Sequence, residues 1–514
     1  MIKNTITNAA DISVLRLVDN NYKVGGGPAS VSGTVVVASK GAINQVLKLN
    51  NDNWQAKLGR PLPSSTGLGS EGLRHLSEAA EDASYLQVVR VVSDDFRYPS
   101  LSIGALGVAT LSSHAPDAEI LADEESVMTF FIKDGDPSTD RKIEVSGTDT
   151  AENRFTVTLW GKDSANEDYV IESHTGSLDE DARNDMGAPI FIESLLESAS
   201  ERIGVVIGGL GIAALVDVIK TALTGGTNGT YPTAENFKKA WDLLADDSVY
   251  LTNIFQAGNY DPIVIAYAAK IAKDRYIQHF FDAPPYLNRA DAKAWVEDTA
   301  IQGRMNVCLH GALTATDPWY GGKGLWGFSG TAAAARARAN ANFKGAVPGV
   351  YYTIAGTKRG IVNRRGVKPL FPGDTLNKDD FYDARINPII ANDSGVGVYI
   401  GDSLACHFEQ NYKRFEWITS LDNHITHLFV EGASYAKFEP DGLTQTILED
   451  IMEGIFEPLV TAGAVVPPRN PDVDGEEPYR IRIRQAEIDL WMVEWDYCPV
   501  GAARRIAGQP TLIK

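Results

Sequence analysis

A chain of 514 residues exceeds what one hydrophobic core usually supports, and at about 150 residues per domain it divides into about three. With 44% hydrophobic and 22% charged residues it is neither collagenous, low-complexity nor largely disordered. A net charge of -20 opposes sequence-independent binding to nucleic acid and to anionic membranes, because both need clustered Lys and Arg.

The opening residues, MIKNTITNAADIS, lack the apolar stretch and cleavage site of a secretory signal. Cys308, Cys406 and Cys498 are too few for a disulfide framework, so a reducing cytoplasm is the expected place of synthesis. Residues 11–18, DISVLRLV, read as a strand apolar on both faces, and NNYKVGGGP then breaks the chain. Such a strand cannot bury itself alone, so it must tuck back or pair with another chain. At ~3.3 Å per extended residue, about 20 residues reach on the order of 65 Å.

From Val31 the text predicts a buried strand at Val35, Val36 and Val37, a short segment anchored by Trp54 and Leu58, a helix over 71–83 and a second buried strand, YLQVVRVV. From Phe96 to Gly187 short alternating strands follow: SVMTFFIKD, RKIEVSG, NRFTVTLWG and EDYVIES. This stretch carries most of the acidity. Between Asp117 and Ser200 there are 21 Asp and Glu against 6 Lys and Arg, which implies a solvated surface or an outward-facing domain kept from sticking to its own copies.

From Pro189 to about Gly360 strands and helices alternate as in an α/β domain, with Thr233 expected to cap one helix and Asp261-Pro262 to begin another. Residues 336–368 are locally basic and read as a loop-rich surface that pairs with acidic parts of the same assembly. From Phe381 the pattern is α+β: ARINPIIAND and VGVYIGDSLAC as strands, NYKRFEWITSLDNHITHLFVEGASYAKF as one long helix, and a second helix before a strand-like tail. In that tail Arg480, Arg482 and Arg484 alternate with Ile481 and Ile483. The longest uncharged apolar run, residues 203–216, has 14 residues and falls short of the ~20 of a membrane span.

Three constellations could carry chemistry. Gly209-Leu210-Gly211-Ile212-Ala213-Ala214 fits G-x-G-x-x-A after an apolar run, but the acid expected about 20 residues on, Glu235, falls in the next helix. Gly401-Asp402-Ser403-Leu404-Ala405 is like a nucleophile elbow with its last glycine replaced; His424 and His427 lie downstream, yet on a helix and without the intervening acid of a hydrolase. His424 and His427, with Cys406-His407, share a helix-face spacing but have no second pair of metal ligands. No cofactor is expected.

Several stretches together resemble the contractile tail sheath proteins of bacteriophages, over about 450 residues. Leu223-Thr224-Gly225-Gly226-Thr227-Asn228-Gly229 before Tyr231-Pro232-Thr233-Ala234 resembles the family's L-x-G-G-x-x-G entry to its central domain. GTVVVASKGAINQVLKLNNDNWQAKLG resembles its opening strand, K-G-x-x-N loop and aromatic segment. DARINPIIANDSGVGVYIGDSL resembles its R-x-N-P-I strand, glycine turn and following strand, and PLVTAGAV its closing fold. The departure is at the N-terminus, where many sheaths have a P-G-V-Y-like arm.

The resemblance implies an α/β and α+β multi-domain fold with a non-catalytic, subtilisin-like α/β central domain. It implies an N-terminal arm at 1–27, the first part of an inner α+β domain at 28–95 and a β-rich acidic outer insert at 96–187. The central domain would occupy 188–372, the C-terminal inner domain, completed by an N-terminal segment, 373–495, and the C-terminal arm 496–514. Family arms add strands to neighbouring subunits. Here Ile12, Val14, Leu15, Leu17 and Val18 would be donated, with Trp491, Val493, Trp495, Leu512 and Ile513 in the receiving sheet and outgoing arm. Gly25, Gly26, Gly27 and Gly501 would be hinges, and Lys413 and Arg414 on the long helix would meet acidic residues of the tail tube. Implied partners are further copies in stacked hexameric rings, the tube, baseplate and tail terminator proteins, with no direct nucleic acid and no membrane insertion. The implied location is a virion tail, after assembly in the host cytoplasm. An enzyme built on Ser403 and a static shell protein are the rival readings.

Overall fold

A computed structural model describes residues 30–504, apart from 65–66, 68, 117, 122, 137–139, 163–165, 373–377 and 393–396. The chain forms two compact units. The first comprises residues 74–86 and 247–504 with the start of the strand Val31–Val36; the second comprises 34–73 and 87–246. The architecture is multi-domain, α/β and α+β, with β-rich sheets inserted in the chain.

In the first unit a parallel sheet runs through residues 31–33, Asn253–Phe255, Gln278–Asp282, Asn306–His310 and Ile386–Asn392, and Gly397–Ile400 closes it antiparallel. Its registers include Ser32 opposite Asn253, Phe280 opposite Val307 and Cys308 opposite Ile386. Parallel pairing needs crossovers, and helices Pro262–Asp274 and Arg289–Thr299 supply two of them. Both begin as their sequences dictate. Asp261 accepts the amide of Ile263 ahead of Pro262, and Asn288 accepts that of Asp291. Gln278–Asp282 and Asn306–His310 are buried along their whole length, as helices on both faces require.

The basic stretch begins inside the fold. Helix Ser329–Asn340 is alanine-rich and buried nearly throughout, so Arg336 belongs to the interior and not to the basic surface expected from sequence.

The second unit holds two four-stranded antiparallel sheets. One has the order Ile203–Ile207, Ser126–Ile132, Tyr98–Gly104, Ala109–His114; the other has Val218–Ala222, Lys142–Asp149, Arg154–Lys162, Asp168–Gly176. Strands within 96–187 therefore find partners beyond it, at 203–207 and 218–222. Alternation along Lys142–Asp149 and Arg154–Lys162 turns Ile143, Val145, Phe155, Val157 and Leu159 into one core with Phe130, Ile192 and Leu196.

Arg90 ties two of the sheath-like motifs together within this unit. Its guanidinium donates to the carbonyls of Ala38, Gly41 and Gly135 and to Asn228 Oδ1, and burial lowers its pKa to about 10. Thr233 caps helix Ala234–Ala245 in a capping box with Asn236.

Candidate functional site

The first unit ends in two long helices and a β-hairpin. Helices Glu416–Ala436 and Asp441–Ala462 share a core of Leu421, Ile425, Leu428, Ile451, Met452, Ile455 and Phe456. The hairpin pairs Tyr479–Glu487 with Leu490–Tyr497 so that Ile481 faces Trp495 and Ile483 faces Val493. Period-2 alternation then gives it two unlike faces. Tyr479, Ile481, Val493, Trp495 and Tyr497 pack on the helices, with Tyr479 stacked on Phe456 at 4.8 Å and Trp495 against Phe429 at 5.0 Å. Tyr497 Oη donates to Asp422 Oδ1 at 3.0 Å, and burial together with that carboxylate pushes its pKa up.

The opposite face is a charge lattice. Arg482 bridges Glu494 (3.4 Å) and Asp496 (2.9 Å), flanked by Arg480 and Arg484. Among the described residues this sheet has two strands, so its outer backbone N–H and C=O groups have no strand partner. A long edge of this kind is a template for another strand. Ile488, 90% exposed, marks the hairpin tip.

Of the residues expected to link subunits, Trp491, Val493 and Trp495 lie on the strand Leu490–Tyr497, where Val493 and Trp495 face the helices and Trp491 is half-buried. Ile12, Val14, Leu15, Leu17, Val18, Gly25, Gly26, Gly27, Leu512 and Ile513 lie outside the described residues. Gly501 has no left-handed backbone. From Tyr497 the chain stays on its own unit: Val500 N donates to Ala464 O at 2.9 Å, and Arg504 binds Asp402 through contacts of 2.5–3.0 Å.

Lys413 and Arg414 are not on the long helix. They occupy a 3-10 turn, Tyr412–Arg414, because Asn411 accepts the amide of Lys413 and the α-helix starts only at Glu416. Lys413 is exposed. Arg414 is engaged locally, donating to Tyr382 Oη and Gln410 and lying over Phe415.

The remaining sequence candidates resolve into structure. Ser403 is buried and its Oγ donates to Glu416 Oε2 at 2.8 Å, with Gln278 Nε2 (2.9 Å) and Arg336 on Oε1. Ser403 is only 1% exposed and the carboxylate that holds its hydroxyl is already engaged by Arg336, so the group is a closed contact of the interior. His427 Nε2 lies 3.1 Å from the carbonyls of Arg275 and Tyr276, so it donates there. Among the described residues no group of three or more His, Cys, Asp or Glu is placed to hold a metal ion, and no helix is long and apolar enough to cross a membrane. The amides of Gly208, Gly209 and Leu210 donate to Val127, Asp123 and Ser126 carbonyls, and a Cβ on Gly208 would meet Ser126 O at 2.2 Å. Gly208 and Gly209 serve close backbone packing, and their amides are already committed to carbonyls.

The Arg336–Glu416–Ser403–Gln278 network escaped the sequence, where Arg336 read as surface. Its one local trace is an arginine within an alanine run.

Compared with solved structures, the chain is similar to a sheath tail protein from Listeria innocua, with a TM-score of 0.55 and 13% identity over 93% of this chain and 97% of that one. The chain shares the fold of that protein. Partial similarity at a TM-score of 0.42, covering 55% of this chain and 75% of the other, extends to a chain of the anti-feeding prophage baseplate (14% identity) and one of an extracellular contractile injection system sheath complex in its contracted state (16%). No protein-family model and no curated protein matches the sequence.

Proposed function

We propose that this chain is the structural, non-enzymatic subunit of a contractile sheath. Copies polymerise around a tail tube as stacked hexameric rings in an extended, metastable state, and contract on a baseplate signal to drive the tube through a host envelope. The parallel sheet of the first unit is its subtilisin-like, non-catalytic body, and the assembled sheath belongs to a virion tail or a related injection particle. The observation that carries this reading is the near full-length fold similarity to a sheath tail protein. The hairpin, two-stranded among the described residues and packed on a two-helix base, supports it.

Residues 12–18 of one copy would add a strand to the hairpin of another. Main-chain pairing makes such a joint tolerant of rotation between bodies, so a lattice slides without disconnecting. A gain of ~10 kcal/mol per subunit needs roughly 400 Å2 of new apolar contact at about 25 cal/mol per Å2. Lys413 remains a tube-facing cation in this scheme.

Negative-stain microscopy of the concentrated full-length chain tests it. Rods in two length classes are expected, and a chain lacking residues 1–20 should stay monomeric. Closed particles would mean a static shell; polymers unaffected by the truncation would end the arm assignment.

A further inference from the structure

Residues 323–368 carry nine Lys and Arg and not one Asp or Glu, in a chain whose net charge is -20. Four of the nine are engaged inside the first unit. Arg336 binds Glu416, Arg338 binds Asp82 at 3.4 Å, and Arg364 binds Glu78 at 2.7 Å. Arg359 donates to Thr353 O and lies over the Tyr352 ring at 4.8 Å. The other five, Lys323, Lys344, Lys358, Arg365 and Lys368, are exposed and make no ion pair among the described residues.

Lys358 stands at a cavity of about 390 Å3 lined also by Asp82, Arg338, Ala341, Asn342 and Arg359. Its wall is three cations, one paired acid, an amide and a methyl, with the aliphatic stems of the long side chains adding apolar surface. Polyphosphate or nucleic acid suits it poorly. Ala341 and Asn342 follow the carboxyl end of helix Ser329–Asn340, where the helix field disfavours a dianion, and Asp82 adds to that. A singly charged carboxylate beside an apolar side chain suits it better.

The second unit presents such a ligand. Residues 179–189 form a braced loop: Asn184 N donates to Ala188 O (2.9 Å), Gly187 N to Asn184 O (2.9 Å), Ile190 N to Ala182 O (3.0 Å), and Asn184 Oδ1 accepts the amides of Met186 and Ala188. At its tip Met186 is 95% exposed and the Asp185 side chain 96%, in a loose 3.7 Å pair with the half-exposed Arg154, with Glu180 and Asp181 exposed nearby in sequence. A loop already held in shape loses little entropy on docking.

We propose that the 179–189 loop of one copy docks into the Arg338–Lys358–Arg359 cavity of another, Met186 against Ala341, with Asp185 and Glu180 pairing with Lys358 and Arg359. The inference rests on the chain polymerising, not on its contracting. Mixing 14N- and 15N-labelled full-length chain, letting it assemble, and joining touching Lys and carboxylate groups with a zero-length carbodiimide tests it directly by mass spectrometry. Mixed-isotope links from Lys358 to Asp185 or Glu180 are expected. Lys358→Glu should raise the concentration needed for assembly by at least about tenfold, and adding Asp185→Lys should recover most of that loss. Rods that lack these links, or that form normally with Lys358→Glu, overturn the docking but leave the sheath reading standing. A chain that remains monomeric and gives no mixed-isotope link overturns both.

Discussion

Glu416 is wholly buried at the first turn of helix Glu416–Ala436 and carries the charge that balances Arg336. Replacing it by leucine removes the acceptor for Arg336, Ser403 Oγ and Gln278 Nε2 together. Four hydrogen bonds to a charged acceptor, two of them from Arg336, at ~1.5–3 kcal/mol each, set an upper bound near ~12 kcal/mol. Releasing Glu416 from its own desolvation returns part of this, and breaking a buried pair typically costs about 3–5 kcal/mol. Against a total stability of ~5–15 kcal/mol that is about a fifth at least and nearly the whole at most. With a urea slope of ~2 kcal/mol/M the unfolding midpoint should fall by roughly 2 M. The double variant Arg336→Met with Glu416→Leu leaves no orphan charge and should recover ~1–4 kcal/mol of the loss. Because the pair is buried, added salt should change neither result. Urea titration followed by tryptophan fluorescence measures both. A single variant within about 0.5 kcal/mol of the parent, or a double variant as unstable as the two singles combined, would refute this account of the network.

The neutral His279 ring is satisfied on both sides, with Nδ1 at 2.9 Å from Asn306 Oδ1 and Nε2 at 3.3 Å from Gln256 Nε2, and burial lowers its pKa to about 4. The unfolded chain therefore takes up this proton first as pH falls from about 6.5. Stability present above that pH is lost towards pH 4, by roughly 3 kcal/mol for this group. His279→Gln should flatten the slope in urea titrations between these limits, and an unchanged slope would contradict the assignment. Gly330→Ala pits helix propensity, a gain of up to ~1 kcal/mol, against a Cβ placed 2.1 Å from His75 O. The clash should win, for a net loss of about 1–3 kcal/mol by the same titration. Cys308 and Cys406 are buried with raised pKa values, Cys406 to about 12, whereas Cys498 is half-buried. A thiol reagent should modify Cys498 first in the folded chain and all three in urea.

Elements whose causes are local could be read from the sequence. Thr233 and Asp261-Pro262 begin their helices where their chemistry requires, and the alternation in RKIEVSG and NRFTVTLWG survives as two core-facing strands. What depended on distant partners could not. Ile203–Ile207 pairs with Ser126–Ile132, some 75 residues earlier, and nothing in IGVVI names its partner. Arg336 read as surface because its partner Glu416 lies 80 residues on. The sequence pattern runs the long helix back to Asn411, but the capped turn at Tyr412–Arg414 keeps Lys413 and Arg414 out of it. The order of the sheath-like motifs carried further than any one of them, since it spans most of the chain that the fold similarity covers.

Self-assembly through strands shared between copies is the central claim, and cryo-electron microscopy of the assembled full-length chain addresses it most directly. The account predicts a third strand along the Tyr479–Glu487 and Leu490–Tyr497 hairpin, traceable to residues 12–18 of a different copy. A hairpin that stays two-stranded in the assembly, or a third strand supplied by its own chain, would contradict it.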